Sequence, residues 1–453
     1  MSKFQRLLLG LSCLLVFSNS IKAQLMVGNT TIDTTTIIGG LSMPWEIIYG
    51  PDDHIYFTER IGKINRIDPS TGINKVILDY TSTVNQYGEG GLLGMVLHPN
   101  FPTTPKIYAV YNYGTNSSVK ERLVSFDYNI TQEILTNEVI LLDSIPGAVN
   151  HNGSRLLIEN GFIYMTTGDA ANTSTAQNIS SLNGKVLRLN LDGSIPNDNP
   201  LANSPLWSWG HRNPQGLFFA NGFLYSSEHG PNNDDEINII QKGRNYGWPD
   251  VEGFCNTPNE QSFCADSNVI EPLYAWTPTV ATSDILYYDH PAIPEFQNSL
   301  LLTTLKDATL HQLPLNTTKD AIITDNEFFA NFWGRLRDIA VGPNGELYIA
   351  TNSGSHSIVR IKNPSYTNIP KNSLGNEALN VFPIPSDNAV TVELNPNIQF
   401  TDYQLYDLKG QLVQEDTISG NTITIHRKSK YEGIYFLKVK TSESAYTRKV
   451  IFK

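Results

Sequence analysis

Cysteine is scarce in this chain, with three among 453 residues, and one of them, Cys13, falls in the leading apolar segment. A disulfide-dense scaffold is excluded, and Cys255 and Cys264, nine positions apart, are expected to form one short-loop disulfide in an exported chain, a pair of free thiols being the alternative. Basic charge is also thin. Lys and Arg total 32 against 44 Asp and Glu, a formal net charge of −12, and no run of basic residues alternates with aromatics. Nucleic acid and anionic membranes are therefore excluded as principal partners. The apolar run that opens the chain, residues 7–17, follows Lys3 and Arg6 and precedes Ser20-Ile21-Lys22-Ala23. That pattern predicts a secretory signal peptide over residues 1–23, not a membrane span.

No long helical period is present either. What recurs is an apolar segment, a turn rich in Gly, Asn, Pro or Asp, and an alternating strand centred on an aromatic. Ile47-Ile48-Tyr49-Gly50-Pro51-Asp52-Asp53-His54-Ile55-Tyr56-Phe57-Thr58 is one copy, and residues 339–351 are another. Others centre near Tyr108, Tyr164 and Tyr225, with a weaker one at 300–304. Six strand pairs at spacings of roughly 45 to 75 residues suit propeller blades with loop insertions. Blades stacked around an axis cover both faces of each sheet without long exposed edges. The expectation is an all-β chain whose residues 24–362 form a six-bladed β-propeller, an irregular sandwich or barrel being the alternative. After Ile361 a polar, turn-rich linker spans 363–378. From 379 to 453, runs such as Ala389-Val390-Thr391-Val392-Glu393-Leu394 and Gly433-Ile434-Tyr435-Phe436-Leu437 alternate at period two. They predict a small immunoglobulin-like β-sandwich without a cluster of catalytic residue types.

Residues 210–248 concentrate the chemistry. His211, Arg212, Asn213 and Gln215 offer donors to a planar, acidic ligand. Gly230 and Pro231, followed by Asp234, Asp235 and Glu236, offer the hard oxygens that calcium prefers, although the spacing is not that of an EF-hand and an acidic loop is also commonly just solvated. Upstream, His151 opens His-Asn-Gly-Ser-Arg before a strand read as 156–167, and Asp169 follows that strand. A histidine before a strand and an aspartate after it meet only if the chain folds back. If they do, Asp169 fixes the imidazole and His151 becomes a general base; otherwise His151 is a turn residue. Arg335-Leu336-Arg337, spaced to point two guanidiniums the same way, and Lys306 add cationic charge for an anion.

In this order, Gly88-Glu89-Gly90-Gly91-Leu92-Leu93-Gly94, residues 151–155, Thr167-Gly168-Asp169, 210–217, 228–238, 245–249, Leu305-Lys306 and 335–338 resemble the soluble glucose dehydrogenase and aldose sugar dehydrogenase family that uses pyrroloquinoline quinone. The resemblance implies a six-bladed propeller with the quinone across its mouth. It implies that His151 takes the proton from the anomeric hydroxyl of an aldose while hydride passes to the quinone, yielding a lactone. Asp169 would orient His151, and Arg212 would stabilise charge on the cofactor. Glu89, Asn213, Gln215, Lys306, Arg335 and Arg337 would join Arg212 in binding the quinone. Calcium would sit on the carbonyls of Gly230 and Pro231, with Glu236 and Tyr246 matching a further calcium site. Asn150 stands where soluble glucose dehydrogenases have an aspartate, and the cysteine-bounded segment carries Phe254 and Phe263 but no tyrosine. With the long insertions of the dimeric glucose enzyme absent, the nearer match is the broad-specificity aldose type, expected to be a monomer that passes electrons to an acceptor the sequence does not name.

The rival reading is a non-catalytic propeller that binds carbohydrate or protein at the cell surface, as in hedgehog-interacting proteins. Joint retention of His151, Arg212 and Lys306 favours the enzyme. At the other end, Val381-Phe382-Pro383-Ile384-Pro385-Ser386-Asp387, Leu405-Tyr406-Asp407-Leu408-Lys409-Gly410-Gln411, Gly433-Ile434-Tyr435 and residues 448–453 resemble the type IX secretion sorting domains of Bacteroidetes. That resemblance implies export through the periplasm to the exterior or cell surface by the type IX machinery, an ordinary immunoglobulin-like accessory domain being the alternative.

Overall fold

The computed structural model describes residues 25–366, 379–394, 400–408, 410–417, 420–426, 432–441 and 445–453. The expected signal peptide and most of the expected linker lie outside these residues. Two compact units result, Met1–Tyr366 and Thr367–Lys453.

Among the described residues the first unit is built from six antiparallel sheets. Their leading strands are Pro44–Tyr49, Leu92–Leu97, Leu156–Glu159, Pro214–Ala220, Thr282–Tyr288 and Leu336–Val341. Each leading strand packs beside the next, and Leu336–Val341 packs against Pro44–Tyr49, so the sheets close a ring. The last sheet is completed from the other end of the unit. Thr30–Ile38 pairs antiparallel with Ile358–Lys362, and Leu25–Val27 extends it.

Strand alternation explains how one sheet serves two cores, because successive side chains point to opposite faces. Ile55 and Phe57 pack with Tyr348 and Ile358 of the last sheet, whereas Tyr56 between them packs with Met95 and Ile107 of the second. The pattern continues around the ring. Tyr108 meets Leu156 and Ile163, Val186 meets Leu217, Tyr225 meets Ile285 and Leu300, and Leu286 meets Ile339. The recurrent aromatics are thus the second-strand wedges between sheets, with Tyr56, Tyr108, Tyr225 and Tyr348 buried. Full burial of such a side chain is worth about 1.5–3 kcal/mol.

One expectation is corrected. The single strand read over 156–167 is a hairpin, Leu156–Glu159 and Phe162–Thr167, with Leu156 opposite Met165 and Glu159 opposite Phe162. Asn160 and Gly161 turn the chain with φ of 51° and 79°, the paired positive values that a tight hairpin turn requires. The reversal brings residues 151 and 169 to the same end.

Cys255 and Cys264 form a disulfide. It braces Pro258–Ser267, a helix that the sequence reading left out and whose start is a capping box: Thr257 accepts from the Glu260 backbone and Glu260 returns the bond. In the second unit, a sheet of Leu379–Phe382, Ala389–Leu394 and Thr422–His426 and a sheet of Leu412–Thr417, Phe400–Tyr406, Gly433–Thr441 and Ala445–Phe452 share one core. Val390, Val392, Leu405, Leu437, Val439 and Phe452 fill it. No described helix is long and apolar enough to cross a membrane.

Candidate active site

With the chain folded back at Asn160-Gly161, His151 Nδ1 lies 2.8 Å from Asp169 Oδ1. Two glycines make the approach possible. A Cβ on Gly168 would fall 2.0 Å from the His151 carbonyl oxygen, and one on Gly153 would fall 2.7 Å from the Gly168 nitrogen. His151, Ser154, Ala170 and Ala171 all take positive φ here, a concentration of backbone strain that non-glycine residues tolerate only where the surroundings enforce it. Asp169 is fully buried and also accepts from the backbone of Ala171 at 2.8 Å and from Trp248 Nε1 at 2.9 Å. The His151 backbone donates to Glu89 at 3.2 Å.

Below these loops a buried hub ties the leading strands together. Arg155 reaches Glu46 and Asp338 at 2.7 Å each, approaches Asp284 at 3.5 Å, and donates from Nε to the Gln215 carbonyl at 2.7 Å. Burial pushes the Glu46 and Asp284 carboxyls well above the usual range, against the pull of Arg155.

Among the described residues, two clefts reach the partners of the His151–Asp169 pair, Glu89 in one and Trp248 in the other. The larger, about 430 Å³, is lined by Arg60, Lys306, Arg335 and Arg337, with Glu89 as its carboxylate and Gln215 on its wall. Arg337 is buried and donates to Gln215 Oε1 at 2.7 Å. Its burial and the neighbouring Arg60 bring its guanidinium down to about 9. Lys306 and Arg335 are exposed at the rim, with Lys306 on Thr279 at 3.0 Å. Arg335 and Arg337 both line this cleft, Arg335 just before the strand Leu336–Val341 and Arg337 within it.

The smaller cleft, little more than ion-sized, is bordered by Arg212, Glu228, Gly230, Pro231, Asp234, Glu236, Tyr246, Trp248 and Glu252. Gly230 cannot carry a side chain there, since a Cβ would meet the Asn233 carbonyl at 1.9 Å. Burial and the nearby Glu228 raise the Glu236 carboxyl to about 8. Its oxygens accept from Gly253 and Asn238. The Tyr246 hydroxyl is engaged by the backbone of Ile239 and Gln241, which leaves its carbonyl as the ligand it could offer. His229 borders both clefts.

Some expected residues sit elsewhere. His211 is fully buried between Ser208 and Glu228, at 2.9 Å from each, and stacks on Tyr246, so it is not a donor to a ligand. Asp235 spends both oxygens on the backbones of Gly230 and Ala281 and is not free for a cation. Asn213 lies behind the clefts and accepts from the Gly153 backbone at 3.1 Å, bracing the loop that carries His151. Sequence reasoning passed over Arg60, His229 and Trp248. His229 stood inside the quoted Glu-His-Gly-Pro motif, but nothing in its spacing separates a lining histidine from a turn histidine.

An anionic group fits the larger cleft, because four cations face one carboxylate and the buried Nε2 of His229 on its wall has no partner. A divalent cation suits the smaller one, where it would relieve crowding between Glu228 and Glu236. Among the described residues no three His, Cys, Asp or Glu side chains form a metal-holding group by themselves, so a cation would need backbone carbonyls such as those of Gly230 and Pro231.

Comparison with known proteins gives this closed ring of sheets its class, that of the propeller oxidoreductases. Residues 41–360 match the family model for glucose/sorbosone dehydrogenase, and residues 380–453 match the secretion system C-terminal sorting domain. Among curated proteins, quinoprotein glucose dehydrogenase B of Acinetobacter calcoaceticus is 32% identical, covering 75% of this chain and 89% of that one. Aldose sugar dehydrogenase YliI of Escherichia coli is 29% identical over 75% of this chain and 95% of its own. The PQQ-bound aldose sugar dehydrogenase of Streptomyces coelicolor superposes with a TM-score of 0.64 at 29% identity, covering 73% of this chain and 98% of that structure. The chain belongs to the glucose/sorbosone dehydrogenase family and carries a C-terminal secretion sorting domain.

Proposed function

We propose that the first unit is a six-bladed propeller that oxidises aldoses at C1 to lactones using pyrroloquinoline quinone and calcium. The second unit is proposed to be an immunoglobulin-like sandwich that directs the chain through the periplasm and the type IX machinery to the exterior or cell surface. The observation that carries the catalytic reading is the His151–Asp169 pair at 2.8 Å beside a cleft with an excess of positive charge.

With Nδ1–H donated to Asp169, the His151 lone pair lies on Nε2, the tautomer required to take the proton of the anomeric hydroxyl. Asp169 offsets the charge that the imidazole then gains. Arg212, whose Nε has no internal acceptor, is a donor for negative charge developing at the edge of the cleft. Glu89, Gln215, Lys306, Arg335 and Arg337 would hold the quinone, with Asn213 bracing the loop that carries His151. The carbonyls of Gly230 and Pro231 would hold calcium, and Glu236 and Tyr246 would contribute to a further calcium site. When bound, the quinone supplies a two-electron acceptor and calcium draws charge toward it.

The test is reconstitution of the full-length protein, purified without cofactor, with the quinone and calcium and a dye as terminal acceptor. Aldose oxidation is expected only when both are added. His151→Ala is expected to abolish turnover while the absorbance change on quinone binding persists. Bound quinone without turnover across a panel of aldoses would overturn the reading.

A further inference from the structure

Trp248 acquires a role on the reading of His151 as the base. A carboxylate that orients a histidine must itself be oriented, because its terminal torsion is broad and roughly two-fold. Asp169 Oδ1 receives His151 and the Ala171 backbone, and the indole N–H of Trp248 reaches Oδ2 at 2.9 Å. Indole is a donor only, so this contact has one sense.

Trp248 is itself firmly held. Its backbone nitrogen donates to the Gly210 carbonyl at 3.0 Å, and its carbonyl accepts from Gln177 at 2.7 Å. Gln177 in turn exchanges a pair of hydrogen bonds with Asn245, at 2.9 and 3.0 Å. The face of the indole serves a second purpose, since the Arg212 guanidinium lies 5.3 Å from its ring centroid. One side chain thus touches the support of the base by its edge and the arginine by its face.

We propose that Trp248 is a positioning residue that fixes the plane of the Asp169 carboxylate, and through it the tilt of His151, while holding Arg212 in register with both. The chain Trp248–Asp169–His151 is a relay of orientation in which no proton moves beyond the imidazole. Misplacing a reacting group by about 1 Å can lower a rate about a hundredfold, so loss of the indole donor acts on turnover and not on binding of the sugar.

The experiment uses the full-length protein and Trp248→Phe, which keeps an aromatic face and loses the donor. Trp248→Leu loses both, and His151→Ala reports on the base itself. Proton NMR of the cofactor-free protein with labelled histidine is expected to show the Nδ1–H of His151 as a distinct downfield signal in the parent and as a broadened or missing one in both Trp248 variants. After reconstitution, kcat is expected to fall about tenfold in Trp248→Phe and further in Trp248→Leu, with KM for the aldose changed by less than about threefold. An unaltered Nδ1–H signal, or an unaltered kcat, in Trp248→Phe overturns the proposal. Turnover surviving in His151→Ala overturns the assignment of the base instead, and the NMR signal still decides whether Trp248 orders the pair. Should Trp248→Phe not fold, replacing the indole by its benzothiophene isostere, sulfur for N–H, gives the same two readings.

Discussion

Glu121 offers a test of the buried electrostatics that support the His151 loop. It lies in the strand Ser118–Asn129, is 1% exposed, and accepts from Ser154 at 2.7 Å and from Asn112 at 3.4 Å through one oxygen. Its other oxygen has no partner. Burial pushes its carboxyl from 4.5 to about 8. Below pH 4.5 the group is protonated in both the folded and the unfolded chain. Between 4.5 and 8 only the unfolded chain releases the proton, so stability falls as pH rises and levels off above 8. The interval, 8 − 4.5 = 3.5 pH units, at about 1.4 kcal/mol each, sets a ceiling of roughly 5 kcal/mol. Glu121→Gln copies the protonated group and removes the titration. All six tryptophans fall in the first unit, so their fluorescence in urea reports on that unit alone. At about pH 5 the variant should match the parent within ~1 kcal/mol, and at about pH 8 it should be more stable by ~3–5 kcal/mol. A difference that does not change with pH, or a variant weaker at the higher pH, would refute the reasoning.

Two further perturbations probe the hub and the cleft. Arg155→Met leaves Glu46, Asp284 and Asp338 facing one another without their cation, and urea unfolding should show a loss of ~3–5 kcal/mol; a neutral outcome would mean that the carboxyls do not depend on the arginine. Lys306→Ala and Arg335→Ala remove rim charges that stay in contact with solvent, so each should weaken quinone binding only about three- to tenfold and flatten its dependence on salt. Arg337→Ala, which removes the buried partner of Gln215, should cost more in the same titration, and equal effects at all three positions would contradict the division between rim and interior.

Much of the ring was legible because two periods coincide along the chain, alternation within strands and a turn-punctuated pair per sheet. Tyr56, Tyr108, Tyr225 and Tyr348 mark the second strand of four sheets, and each could be found from its apolar neighbours and the Gly, Pro or Asn turn before it. The Asn160-Gly161 turn belongs to the recurrent pattern centred on Tyr164, and Asn-Gly between apolar residues is among the strongest short-range hairpin signals, yet reading 156–167 as one strand left the meeting of His151 and Asp169 conditional. The Pro258–Ser267 helix was missed because it buries no apolar face, so periodicity had nothing to register; only Thr257-Pro258-Asn259-Glu260 announced it. Residue type misled at His211 and Asp235. Both belong to polar motifs, yet Glu228 in one case and two backbone amides in the other take up their hydrogen-bonding capacity. Trp248 could not be found from sequence, since Asp169 follows a strand of the neighbouring sheet and Arg212 stands in the loop before Pro214–Ala220, and only the folded ring brings both to the indole.

The pairing of Thr30–Ile38 with Ile358–Lys362 sets a timetable. A chain made from its N-terminus holds out one half of its clasp almost from the start and must wait for the other until nearly the whole unit has been made. Until then Pro44–Tyr49 lacks the neighbour it finds in Leu336–Val341, and no earlier stopping point offers a finished surface. Closure falls before the sorting segment at 380–453 is made, so a product cut short of Ile358–Lys362 would carry neither a locked ring nor the sorting domain.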